Sequence, residues 1–236
     1  MTIELQLYNC TLLVAAAVNV MMAAALWHNN FAYHDYPVYR HSRFMTALSF
    51  VVFAVGFLLH EQLQWRMSWP EGATALSVSY FHIGGVLLSW SHTSLLNPHY
   101  LKTKIVVRDI VILALGQGFL WTGACSLNGW TLDAGVAVFL THVSALAVTF
   151  YRTYYRVRLF NYHHSFLMSC HLIILFGIGC VIMTALVPHA VWPYTVLLIL
   201  GIMAFCFIFY GLSEYGAVID ASTNATEDAV NEKMRK

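Results

Sequence analysis

The sequence predicts an all-α integral membrane protein: a bundle of seven transmembrane helices, N-terminus outside and C-terminus in the cytoplasm. Three observations carry that expectation. Apolar residues make up 59% of the chain and charged residues 10%, where soluble domains run near ~45–50% and ~25%. Seven apolar runs approach the ~20 residues that a helix needs to cross the hydrocarbon core. The basic residues, finally, are sorted by loop.

Twelve Lys and Arg against eleven Asp and Glu leave a net charge of +1. That balance excludes a nucleic-acid binder working by bulk charge and an acidic disordered chain. Five cysteines without a CxxC pair argue against a zinc ribbon or a disulfide scaffold.

The first span is Leu7–Trp27. It is not read as a signal peptide, because the preceding residues carry Glu4 and no Lys or Arg, and it runs into Trp27-His28 rather than small residues. Cys10 follows Asn9, so a lipoprotein signal is not expected either. Pro37 breaks the chain before the second span, Phe44–Gln64, and Trp69-Pro70-Glu71-Gly72 breaks it before the third, Ala73–Leu95. Asn97-Pro98 separates the third from Val106–Cys125, and Asn128-Gly129 separates that from Trp130–Tyr151. The sixth and seventh spans are Ser165–Val187 and Trp192–Tyr215, parted by Pro188. Residues 1–215 form the membrane domain. Residues 216–236 form a cytoplasmic tail, in which Val218, Ala221, Ala225 and Ala229 recur at helical spacing and extend the last span.

Orientation follows from the basic residues. One set of alternate loops and the tail holds Arg40, Arg43, Lys102, Lys104, Arg108, Arg152, Arg156, Arg158, Lys233, Arg235 and Lys236; the other set holds Arg66 alone. The positive-inside rule places the rich side in the cytoplasm. Trp65, Trp69, Trp121, Trp130 and Trp192 then fall at the outer interface, as an aromatic belt would. The expected location is a bacterial inner membrane.

Ionisable groups inside spans are costly and mark candidate sites. His82 lies near the middle of span three and His142 near the middle of span five; His92 and His171 lie deeper toward the inner side. Asp109 and Gln117 are in span four. At ~100° per residue, His82, Gly85, Ser89 and His92 share a sector of about 80°. Span three is therefore expected at the centre of the bundle, with His82, Gly85, Ser89, His92, His142 and His171 as candidate ligand-binding residues. Three readings of this face stay open: interhelical packing, a ligand or cofactor site, and a proton relay.

His82 with His142, or His92 with His171, would be depth-matched pairs for a haem b iron, which makes an electron-transfer protein one alternative. A small-solute transporter is another, although no repeat or broken-helix signature supports it. No lysine stands in any predicted span, which excludes covalent retinal. The histidine-based zinc site of seven-span membrane hydrolases needs histidines in the last span, and there are none. No nucleophile–base pair or phosphate loop is present, so an enzyme is not expected. A Cys10–Cys125 bridge is open in an oxidising compartment.

The stretches Ala75–Pro98 (ALSVSYFHIGGVLLSWSHTSLLNP), Cys170–Pro188 (CHLIILFGIGCVIMTALVP) and Glu214–Ala229 (EYGAVIDASTNATEDA) resemble the membrane-embedded N-terminal region of AraC-like regulators from Bacteroides-type bacteria. In that family the spans lead to a cytoplasmic helix-turn-helix domain. The resemblance implies a sensor or signal-transmission module, a fragment or paralogue without the DNA-binding domain, passing a ligand or membrane signal to a cytoplasmic effector. The expected partners are the lipid bilayer and an effector or a second copy of the chain, with no direct nucleic-acid binding by this chain. The family supplies no ligand and no mapped site.

Overall fold

The computed structural model describes residues 3–28, 33–126, 128–157, 177, 179 and 191–234, with backbone alone for 155–157 and 215–234. Among them are helices and no strand. The helices are α1 (Ile3–His28), α2 (Pro37–Leu63), α3 (Trp65–Ser68), α4 (Pro70–Leu96), α5 (Thr103–Ser126), α6 (Gly129–Val157) and α7 (Val191–Met234). Six of these, all but the one-turn α3, are apolar and long enough to cross a membrane. That is the pattern of a multi-pass membrane protein, since in lipid a helix satisfies its own backbone hydrogen bonds. The expected span Ser165–Val187 lies outside the described residues, apart from Gly177 and Gly179.

The helices outrun the predicted spans at nearly every end because hydropathy marks only the part that lipid must cover. Pro37 and Pro70, read in the sequence as breakers, instead open α2 and α4, where a missing N–H costs nothing. Between α2 and α4 the chain turns through Gln64, whose φ of 50° lies in the left-handed region, and then makes the short α3. The sequence did not predict α3.

α4 is the most enclosed helix and α5 the least. α4 packs against α2 on one side and against α5 and α6 on the other, while α1 joins α2 to α7. The α2–α4 seam interlocks by size: the ring of Tyr80 fills the notch at Gly56, and that of Phe53 fills the notch at Gly84. Hydroxyls run the length of the seam. His60 bonds Ser77 at 2.8 Å, Ser49 donates to the Gly84 carbonyl at 3.0 Å, and Ser42, Thr46 and Ser91 form a cluster with Oγ distances of 2.6 and 2.7 Å. In lipid such bonds join helices that hydrophobicity alone does not hold together.

Two arginines enter the bundle without a carboxylate partner among the described ion pairs. Arg43 donates to the Leu26 carbonyl and to the Tyr39 hydroxyl, which in turn donates to the Leu212 carbonyl at 2.6 Å, so one chain of bonds ties α1, α2 and α7. Arg66, the single basic residue on its side of the predicted topology, is buried. It lies 3.4 Å from the Tyr194 ring centroid and donates to the Tyr8 hydroxyl at 3.1 Å. Phenols and ring faces stabilise both cations in place of counter-charges. Tyr39→Phe removes one of the two acceptors of Arg43 and the side-chain bond that ties α2 to the Leu212 carbonyl. It is expected to cost about 1–2 kcal/mol, read by unfolding in mixed micelles.

Trp65 meets Trp69 and Trp121 edge to face, at centroid distances of 4.8 and 6.2 Å, so three of the five expected belt tryptophans come together. Cys10 and Cys125 are both exposed and both free. The bridge left open from the sequence is not formed.

Candidate functional site

The polar face predicted on span three divides in the structure. His82 stands at one edge of the sector and turns toward α5 and α6. Gly85, Ser89 and His92 turn toward a cavity between α4, α6 and α7. The two faces have different chemistry.

The first face is a chain of hydrogen bonds. His82 Nε2 lies 2.9 Å from His142 Nδ1, and the two rings meet edge to face at 5.2 Å. His142 Nε2 lies 3.4 Å from Asp109 Oδ1. The same Asp109 oxygen accepts from Arg108 Nε at 2.8 Å and pairs with its Nη2 at 2.7 Å, while Trp90 Nε1 donates to Oδ2 at 2.8 Å. Asp109 is fully buried, His82 fully and His142 nearly so. Arg108 is half exposed, with its guanidinium head on the buried carboxylate. Tyr100, in the connection after α4, packs near this end. Burial first, and the Asp109 charge second, push its phenol above the usual range.

One turn along α4 from His82, the Ser79 hydroxyl lies within hydrogen-bond distance of the Ala75 carbonyl, at 2.7 Å, and of Gln117 Oε1 on α5, with one proton to share between them. Gly116 faces His82 directly: a Cβ there would stand 3.2 Å from its Cε1 and 3.4 Å from its Nδ1. That Nδ1 is buried with no hydrogen-bond partner among the described residues, as is the amide nitrogen of Gln117.

The second face lines a cavity. Its walls are Gly85, Leu88, Ser89 and His92 from α4, Phe53 from α2, Phe139, Val143, Leu146, Ala147 and Phe150 from α6, Ile208 from α7, and Gly177. It leaves ≈ 50 Å³ for the centres of water-sized molecules, several times the ~10–15 Å³ that one water needs. The lining is mostly apolar, and the Ser89 hydroxyl and the His92 imidazole bring the polar atoms. His92 Nδ1 lies 2.6 Å from the Leu88 carbonyl, so it carries the proton and donates. An apolar recess with a few polar groups is the usual form of a small-molecule site.

His82 and His142 therefore come together, and Gly85, Ser89 and His92 come together, as two adjacent groups with Phe139, a cavity wall, against the His82 ring. His171 lies outside the described residues, and with it the proposed His92–His171 pair. The His82–His142 pair does not fit a haem: two rings in direct hydrogen-bond contact leave no plane for a porphyrin between them. Among the described residues no group of three or more His, Cys, Asp or Glu is placed to hold a metal ion.

Three residues of the polar chain were not among the sequence candidates. Asp109 had a signal, a carboxylate inside a span beside an arginine, but nothing in the sequence aimed it at His142. Trp90 and Arg108 read as an aromatic filler and a topology charge. The α6 wall of the cavity, Phe139 to Phe150, had no signal beyond ordinary apolar spacing.

The chain matches no family model, and no curated protein and no solved structure is similar to it.

Proposed function

We propose that the chain is a sensor or signal-transmission module of a bacterial inner membrane, in which an apolar small molecule in the α4–α6–α7 cavity biases helix packing. The supporting observation is continuity: Ile208 of α7 lines the cavity, and α7 runs unbroken for 44 residues. At 1.5 Å per residue that is about 66 Å, roughly twice the ~30 Å hydrocarbon core. A helix that touches the cavity and extends far beyond the bilayer is suited to carry a shift outward. The eleven-to-one sorting of basic residues puts that extension in the cytoplasm, with seven spans and the N-terminus outside. The resemblance to AraC-like membrane regulators supports the same direction, with a cytoplasmic effector or a second copy as receiver.

The ligand class follows from the lining. The walls reward an apolar body by burial, and Ser89 and His92 select one hydroxyl or carbonyl by hydrogen bonding. Ala147→Leu places three further carbons in the recess. With a reporter enzyme fused after Lys236, this variant is expected to change basal output and to lose any response to an organic-solvent extract of the producing cells. Ser89→Ala is expected to weaken that response by about tenfold, the effect of one lost hydrogen bond of ~1.4 kcal/mol. If both variants fold and respond as wild type does, the cavity is packing space and the reading fails.

A further inference from the structure

We propose that His82, His142 and Asp109 form a proton relay in the membrane interior, which takes up a proton at His82 Nδ1 and delivers it to the Asp109 carboxylate. It is independent of what fills the cavity.

The argument starts at Asp109. A carboxylate held by an arginine and an indole N–H is an acceptor only. The contact from His142 Nε2 to Asp109 Oδ1 is favourable when that nitrogen carries the proton. His142 Nδ1 is then bare and accepts from His82 Nε2 at 2.9 Å. This makes His82 Nε2 a donor and leaves its Nδ1 as a bare lone pair, because a neutral imidazole has one proton between its two nitrogens. The carboxylate thus sets the tautomer of both rings. The one unfilled position in the chain is a basic lone pair, and it is the buried nitrogen found without a partner among the described residues.

Packing beyond that nitrogen is open where a side chain would close it. Gly116 faces it and presents no Cβ. On the side away from Asp109, Ser79 and Gln117 form a separate polar pair on the α4–α5 seam. A polar run of this length is costly between helices that could pack with apolar residues, and intramembrane ionisable groups are a functional assignment by default.

The step balances as follows. A proton binds His82 Nδ1 as the proton on His82 Nε2 passes to His142 Nδ1, and the proton on His142 Nε2 passes to Asp109. Three bonds to hydrogen form and two break. Both rings end neutral in the opposite tautomer, and the net gain is one proton on Asp109. A neutral Asp109 no longer pairs with Arg108, which is free to turn to the interface. The titratable and charged groups facing Asp109 are Arg108 from α5, His142 from α6 and Tyr100 from the α4–α5 connection. Among the described residues, His142 is the one that faces His82.

The test uses the whole chain in nanodiscs. Nitrogen-15 NMR of wild type at alkaline pH is expected to show His82 and His142 both protonated at Nε2 and bare at Nδ1. A downward pH jump followed by infrared spectroscopy is expected to raise a carboxylic C=O band that Asp109→Asn lacks. In His82→Gln that band is expected to appear on the order of a hundredfold more slowly, as on removal of one positioned proton donor. Gly116→Ala, whose methyl closes on the bare nitrogen, is expected to slow it in the same direction. A proton on Nδ1 of either resting histidine overturns the relay, without need of any variant. Asp109 taking its proton at the wild-type rate in His82→Gln or Gly116→Ala overturns it too.

Discussion

Asp109→Ala is expected to destabilise the helix bundle by about 3 kcal/mol. Removing the carboxylate strands three donors at once. Trp90 Nε1 loses its 2.8 Å acceptor and His142 Nε2 loses its contact, both in a water-poor interior. Arg108 escapes the worst of this because it is half exposed, which keeps the figure at the lower end of the range for a broken buried pair. Asp109→Asn tests the partition. Its amide oxygen still accepts from Trp90 or Arg108, so the expected loss falls to about 1–1.5 kcal/mol. The measurement is unfolding in mixed micelles at fixed detergent, comparing the two variants with wild type. Equal losses for Ala and Asn would mean that the charge carries the stability and the hydrogen bonds do not.

The same site shows how far the sequence could be read. The positions of six spans were legible because lipid imposes one requirement on every residue of a run, and hydropathy measures it directly. The rotation of each helix was not legible, and partner choice depends on rotation. His82 and His142 were matched in depth from the sequence. Whether they faced each other, a haem or opposite walls depended on how α6 turns against α4. Asp109 shows the same limit: its cost inside a span was evident, while the three donors that offset it lie on three helices. His92 and His82 sit at the two edges of one 80° sector, and an edge is where a modest helix rotation changes the neighbour. The predicted single face became two sites for that reason.

Arg66 is the converse case. In the sequence it was the exception to an otherwise clean charge partition. In the structure it is buried against Tyr8 and Tyr194, so the exception is explained by packing. A cation enclosed by aromatic rings is not a free loop charge competing for orientation. Arg43 is buried as well, so neither arginine is a free loop charge.

Gly123→Ala is expected to cost about 3 kcal/mol, a large effect for one methyl group. The backbone nitrogen of Leu132 on α6 stands where the new Cβ would go, and the Leu132 Cα would lie 2.7 Å from it. Backbone atoms cannot rotate aside, so the ends of α5 and α6 must part. Small residues at such crossings let helices in lipid gain dispersion contacts, the main attraction left when water is absent. Gly135 repeats the arrangement from the other helix, with a new Cβ 2.8 Å from the Leu120 backbone nitrogen. Gly118 provides the control on the same helix as Gly123: a Cβ there meets nothing within 4 Å. Gly118→Ala removes the same backbone freedom without a collision, and in a helix that change is neutral or stabilising by up to ~1 kcal/mol. Unfolding of both variants in micelles separates the two causes. Opposite signs identify close approach of α5 and α6 as the requirement at Gly123, and losses of equal size at both positions would rule it out.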